Sequence, residues 1–354
     1  MTIKMLSHAD LASLATELIA AGMRVIAPVQ AKENPAVADY KEIRRFEDAA
    51  IGFLPRRSLK EFLLPQTEVL LRYRQHKGDV KLEEVPLTQP KQVILGAKPC
   101  DAAGMDILDK VMNWDYRDEL WFARREATTI VSLLCPCMDC SCFCSAVGAG
   151  PDSTRGSDVL LIPVEGGYLA QMVTEKGEAL FGARAKEVAD NSLMAKAEEL
   201  RQAASKKVAE NLPLLPAELP DWLSRNFDHD YWETLALRCH GCGACASICP
   251  TCHCFDIVDE RDGMAGGGRR RNWDSCQTGK FTVHTSGHNP RNTQDERYRQ
   301  RIMHKFSIYP LRFGDVLCTG CGRCVRICPA GMNLPEVLGQ LTEHAGPELE
   351  GKGK

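Results

Sequence analysis

Eight cysteines in the C-terminal third of the chain stand in two copies of one pattern. Cys239, Cys242, Cys245 and Cys249-Pro250 read C-x2-C-x2-C-x3-C-P, and Cys318, Cys321, Cys324 and Cys328-Pro329 repeat it, each run with Gly-Cys-Gly at its second cysteine. Two-residue spacings let a short loop turn three thiolates onto one face of an iron–sulfur cubane. The fourth cysteine, at the start of the next element, points toward a second cubane. The pattern therefore predicts two [4Fe–4S] clusters, one on Cys239, Cys242, Cys245 and Cys328, the other on Cys318, Cys321, Cys324 and Cys249. Structural zinc, the main alternative for C-x2-C, draws four ligands from two separated pairs. Cys245, Cys249 and Cys252 also spell the C-x3-C-x2-C of radical-SAM enzymes, but that spacing overlaps the better-explained run.

A second group, Cys100, Cys135, Cys137, Cys140, Cys142 and Cys144, lies in the N-terminal half. Cys100 follows the apolar run Gln92–Gly96 and the others follow Thr128–Leu134, so two loops at one edge of a sheet could bring them together. A third cluster drawn from these six cysteines is the expectation, with a zinc site or packed thiols as alternatives.

The elements around these loops follow from pattern. Met1–Met23 reads as an amphipathic helix, Arg24–Pro28, Gln92–Gly96 and Thr128–Leu134 as buried strands, and Leu59–Tyr73 and Ala102–Val111 as helices. Val159–Val164 and Tyr168–Val173 flank Gly166-Gly167 as a hairpin, and Asn191–Asn211 is one helix with an exposed face. The fold class expected is α+β: a mixed α/β domain over 1–220, the Pro-rich Leu212–Pro220 linker, a mostly α-helical two-cluster ferredoxin domain over 221–345, and a disordered tail over 346–354. Seventeen cysteines in 354 residues, with no signal-like segment at the N-terminus and no apolar run of membrane-spanning length, point to thiolate–metal chemistry in a reducing, cytoplasmic compartment.

The net charge of −3 gives no global signal for nucleic acid or membrane. Arg261–Lys305, between the two runs, carries ten Lys/Arg against four Asp/Glu. These cations could tune cubanes of net negative charge, form a docking face, or line a solvated helix over Asp295–Lys305. Gly148-x-Gly150-Pro151 lacks the strand-before, helix-after context of a dinucleotide site and reads as a tight turn. His240, His253, His284, His288 and His304 read as structural histidines, and Cys252, Cys254 and Cys276 as packed thiols.

Beyond the cysteines, the chain carries Phe62-Leu-Leu-Pro-Gln-Thr-Glu68, Lys98-Pro-Cys-Asp101, Arg124-Arg-Glu126, Cys142-Phe-Cys144 and Gly148-Ala-Gly-Pro151. Cys249-Pro-Thr-Cys252, Trp273-Asp-Ser-Cys276, His288-Asn-Pro-Arg291, Arg297-Tyr-Arg-Gln-Arg301 and His304-Lys-Phe306 follow. In these motifs and their order it resembles the beta subunits of sulfhydrogenases and the A subunit of anaerobic sulfite reductase. It departs from them in the N-terminal loop, whose sparser family pattern matches Cys135, Cys142 and Cys144 and leaves Cys137 and Cys140 additional; the resemblance thus implies Cys100, Cys135, Cys142 and Cys144 as third-cluster ligands, with Cys137 or Cys140 open as a substitute. At Lys98, Arg is more usual. The resemblance implies a non-catalytic subunit that relays electrons between a flavin/NAD(P)-binding subunit and a catalytic subunit, a NiFe hydrogenase first and a sulfite reductase as alternative. A reading of another class is a self-sufficient reductase of a disulfide or sulfur compound that uses the N-terminal cysteine loop.

Overall fold

The computed structural model describes residues 2–135, 138–188 and 190–350. Its first half is built on a seven-stranded sheet. Strand β1 (Ile3–Ser7) leads into helix α1 (His8–Ala20), then β2 (Arg24–Gln30) and β3 (Ala38–Glu42). A 3-10 turn at Leu59–Phe62 precedes β4 (Thr67–His76) and β5 (Asp79–Glu84). Strand β6 (Gln92–Ala97) is followed by α2 (Pro99–Val111), α3 (Glu119–Ala127) and β7 (Thr128–Leu133). The hairpin β8 (Val159–Val164) and β9 (Gly167–Met172), α4 (Glu175–Phe181) and α5 (Asn191–Ala209) complete this half.

The strand order is β1-β9-β8-β7-β6-β2-β3, with β2, β6, β7 and β8 parallel at the centre and antiparallel pairs outside. Helices cover both faces, so the central strands read as unbroken apolar runs: every residue of β6 is buried. One face packs on Leu11, Leu14 and Phe181, the other on Met105, Leu108 and Trp121. Because β6 and β7 are adjacent and parallel, their C-terminal ends open at the same edge. That edge receives Cys100 from one strand and the loop starting at Cys135 from the other.

The second half holds short helices α6 (Leu219–Arg225), α7 (Tyr231–Ala236) and α8 (Ala244–Ser247), then strands β10 (Phe255–Arg261) and β11 (Gly266–Trp273). Helix α9 (Gln294–Met303), closed by a capping box at Thr293/Glu296, runs into a π-helical turn at His304–Ile308, then α10 (Tyr309–Phe313), α11 (Arg323–Arg326) and α12 (Leu334–Glu350). Its core gathers Trp222, Trp232, Tyr298, Ile302, Phe306 and Leu338, and takes Phe143 from the N-terminal cysteine loop. No helix among the described residues is long and apolar enough to cross a membrane.

Three expectations change. Met1–Met23 is a strand followed by a helix, because Ile3–Ser7 pairs with β9 in a register no local pattern reveals. Leu59–Tyr73 is not a helix: Pro65 breaks it, and Thr67–His76 becomes a strand because it pairs with β11. The mostly α-helical reading of 221–345 is not confirmed, since β10 and β11 form a hairpin that joins β4 and β5 in a four-stranded sheet. The Gly166-Gly167 hairpin and the Asn191 helix stand as read, and α12 continues to Glu350.

Glu68 fastens that small sheet to the rest. It is buried on β4 opposite Arg271 of β11, accepts from Arg271 Nε at 2.8 Å and from Arg124 of α3 at 2.6 Å, while Arg271 also pairs with Asp118, the N-cap of α3. Removing one member of such a pair leaves buried charge uncompensated. Glu68→Ala is expected to lower stability by about 3–5 kcal/mol, read as a shift of the denaturant midpoint, whereas Arg269→Ala, an exposed pair on the same hairpin, should leave the midpoint within error.

Candidate metal centre

The two Gly-Cys-Gly turns act through backbone conformation. Gly320 and Gly322 have φ of +61° and +71°, and a Cβ on either would lie within about 2.5 Å of the N-terminal loop, against Cys144 and Ser141. The second cysteine run can thus lie directly on the N-terminal loop, and Phe143 N–H donates to the Gly320 carbonyl at 2.8 Å. Gly241 and Gly243 repeat the same φ signature in the first run.

The runs interleave. Cys239, Cys242, Cys245 and Cys328 line one cavity of about 520 Å³, with Cys324, Tyr298 and Arg301 in its wall. Cys249, Cys318, Cys321 and Cys324 line a second, of about 290 Å³, with Phe143, Arg301 and Lys305. Each cavity therefore takes sulfurs from both runs. Among the described residues no three His, Cys, Asp or Glu side chains converge as closely as ligands of one metal ion do. A cubane instead accepts thiolates at four separated corners.

Burial pushes Cys245, Cys318 and Cys324 up, Cys318 to about 11 and Cys324 to about 12. Only a cationic group in the cavity can hold them as thiolates, so metal binding must displace their protons. Two buried cations assist. Burial by itself would lower the pKa of Arg301, but the thiols of Cys245, Cys252 and Cys324 hold it well above the usual value. Lys305 is likewise raised against burial by Cys249 and Cys252. Its ammonium donates to Cys249 Sγ at 3.4 Å, Thr251 Oγ1 at 3.0 Å and the Leu317 carbonyl at 2.9 Å. These two of the ten cations in Arg261–Lys305 face the cysteines, whereas Arg269 and Arg270 pair with Asp259 and Glu260 on the exposed hairpin. Gln294 Nε2 adds a 3.2 Å contact to Cys239 Sγ.

In the N-terminal group, Cys135, Cys142 and Cys144 share a buried cluster with Met138 and with Ala204 and Val208 of α5. Cys100, second residue of α2, is pushed up by burial and by Asp101, with Cys321 and Cys135 close enough to add to the shift. Cys144 rises to about 12 through burial and its neighbours Cys142 and Cys135. Cys135, Cys142 and Cys144 thus lie together, with Cys100 near Cys135. Cys140 is exposed, and Cys137 lies outside the described residues. The Gly148–Pro151 segment is a turn that closes this loop, with Ala149 N–H on the Cys144 carbonyl at 3.0 Å and Cys135 N–H on the Pro151 carbonyl at 2.9 Å.

Sequence reasoning missed the pair that joins the two groups. Arg323, between Cys321 and Cys324, makes a bidentate ion pair with Asp101, next to Cys100, at 2.6 and 2.7 Å, both side chains buried. Asn211 was also missed: its amide donates to the carbonyls of Asp139 and Cys142 at 2.8 and 2.7 Å. Only the adjacency of Arg323 and Asp101 to cysteines could have flagged the pair. His253 and His304 stack edge-on at 5.4 Å and are lowered by burial to about 4 and 3, so both stay neutral as structural histidines do.

Residues 238–332 match the family model described as a 4Fe-4S dicluster domain. The chain is 28% identical over 323 residues to "Sulfhydrogenase 2 subunit beta" of Pyrococcus furiosus, covering 90% of this chain and 92% of that protein. The chain thus carries a 4Fe-4S dicluster domain and is similar over most of its length to a sulfhydrogenase beta subunit. The dicluster domain holds two [4Fe–4S] clusters, and the interleaved cavities fit them in donor type and number. No solved structure matches the chain.

Because Lys305 places a positive charge on Cys249, it favours the more negative, reduced state of the cluster beside it. Lys305→Gln is expected to lower that cluster's midpoint potential on the order of 60 mV, one factor of ten for a one-electron couple. An anaerobic EPR-monitored redox titration reads it, and an unchanged potential would remove Lys305 from the electrostatics of the cluster.

Proposed function

We propose that the chain is a three-centre electron relay between a flavin/NAD(P)-binding subunit and a catalytic subunit of hydrogenase type, acting in the cytoplasm. One observation carries the reading: the cysteine groups form a continuous series. The N-terminal loop lies on the second run through Phe143 and Gly320, and Cys324 walls both C-terminal cavities. In this reading Cys239, Cys242, Cys245 and Cys328 hold the first cluster, Cys318, Cys321, Cys324 and Cys249 the second, and Cys100, Cys135, Cys142 and Cys144 a third. The order along the wire is then third, second, first.

Residues 1–220 and 221–345 work as one unit, since β11 completes the sheet begun by β4. The same relay would serve a sulfite reductase equally well. The hydrogenase assignment is favoured by the similar protein of Pyrococcus furiosus, a sulfhydrogenase subunit. Clusters of this kind take electrons one at a time from a flavin that releases two, which is the task of a bridge to a separate catalytic metal.

Two measurements test the reading. The protein purified anaerobically should hold about twelve irons and as many sulfides, and Cys100→Ala or Cys144→Ala should bring both down to about eight. Iron that stays constant in those variants would confine the clusters to the C-terminal half. For the interleaved ligands, Cys249→Ser should perturb the EPR signal of the cluster on the Cys318 run and Cys328→Ser that of the Cys239 run. Changes confined to the cluster nearest in sequence would reject the exchange of ligands.

A further inference from the structure

Cys254 and Cys276 belong to neither run, yet the fold sets them side by side. Cys254 precedes β10, Cys276 follows β11, and the Phe255–Trp273 pairing closes the base of their hairpin. Asp274 N–H donates to the Cys254 carbonyl at 2.9 Å. The Cys254 thiol donates to the Cys276 sulfur, and Gln277 Nε2 donates to Cys276 Sγ at 3.7 Å. Cys254 lines an open cavity of about 840 Å³ together with Cys242, Cys252, Lys60 and Trp273. One wall of that cavity is thus a cysteine of the first run.

We propose that Cys254 and Cys276 are a redox-active dithiol that alternates with a disulfide, drawing electrons from the cluster at Cys242 and passing them to a small organic disulfide admitted through the cavity. The inference rests on the relay reading only in that the clusters supply the electrons. The hydrogen bond from Cys254 draws Cys276 down to about 6, against burial and with help from Arg301 and Gln277, and the same bond pushes Cys254 up. Near neutral pH the pair is one thiol and one thiolate sharing a proton, the form that thiol–disulfide exchange uses. Cys252 is not an equivalent partner, since its hydrogen bond goes to Cys249, which the relay commits to a cluster.

The chemistry balances. As Cys276 takes its proton, the Cys254 sulfur attacks an external disulfide, forming a Cys254–S–R bond and releasing RS⁻. Cys276 returns the proton to that RS⁻, giving RSH. Its own thiolate then attacks Cys254, closing the internal disulfide and expelling the second RS⁻. Two electrons, delivered one at a time by the clusters, and one proton restore the thiol–thiolate pair. A two-electron dithiol matches two one-electron clusters in number, which gives the pair its place beside them.

The test uses the whole anaerobic protein, with iron content and visible spectrum recorded on each sample so that loss of clusters is separated from failure of the pair. After treatment with hydroxyethyl disulfide, alkylation and peptide mass spectrometry should find Cys254 joined to Cys276. After removal of the probe, reduced methyl viologen, a one-electron donor, should make both alkylatable again. In Cys276→Ser the reaction should stop at a mixed disulfide between hydroxyethyl thiol and Cys254, while Cys252→Ser should still close the internal bond. With clusters intact, separate alkylation of Cys254 and Cys276 after the probe overturns the proposal. So does a bond that reduced viologen leaves closed, or a Cys276→Ser variant without adduct.

Discussion

The ion pair between Arg323 and Asp101 is the constraint on which the arrangement of centres depends. Arg323 sits inside the second cysteine run, and Asp101 adjoins Cys100 at the first turn of α2. Both are removed from water, and further hydrogen bonds support them: Tyr40 Oη donates to Asp101 Oδ2 at 2.9 Å, and Arg323 Nε donates to the carbonyls of Pro55 and Arg56. A buried bidentate pair adds little net stability over apolar packing, but breaking it leaves a charge stranded. Its consequence is register. The second run can sit in only one place relative to the edge of the seven-stranded sheet, and the N-terminal cysteines are held against it.

Close approach requires the absence of side chains as well as the presence of a clamp. The backbone of the second run meets the backbone of the N-terminal loop at Gly320 and Gly322, where a methyl group would overlap Cys144 and Ser141. The loop is in turn fixed from behind by Asn211 and by the small buried residues of α5. Phe143, projecting from this loop, fills the core of the other half. The N-terminal cysteine loop and the second run are therefore in direct packing contact.

The electrostatics of the C-terminal cavities follow from the same burial. Thiols in apolar surroundings resist ionisation, and Arg301 and Lys305, one turn apart on α9 and the π-helical turn that extends it, bring compensating charge to the sulfurs. The π turn lies where the helix passes the second cavity, in keeping with the frequent occurrence of such turns at functional sites. The cations are buried, so solvent and salt screen them weakly. Three of the other eight cations in Arg261–Lys305, Arg269, Arg270 and Arg271, are spent on the hairpin and its anchoring to Glu68.

What the sequence alone determined was chemistry carried by local spacing. The two C-x2-C-x2-C-x3-C-P runs announced cubanes because consecutive loop residues must present their sulfurs together whatever surrounds them. The strands β6, β7, β8 and β9 were legible because burial on both faces writes an apolar run. The N-terminal cysteines could be grouped because parallel neighbouring strands end at one edge. Tertiary structure decided everything that depended on partners distant in sequence: that Thr67–His76 is a strand, because β11 pairs with it; that Arg301 and Lys305 face sulfur while Arg269 faces solvent; and that Arg323 meets Asp101. In each case the energy comes from a contact between segments far apart along the chain, and no periodicity within either segment encodes which distant group will complete it.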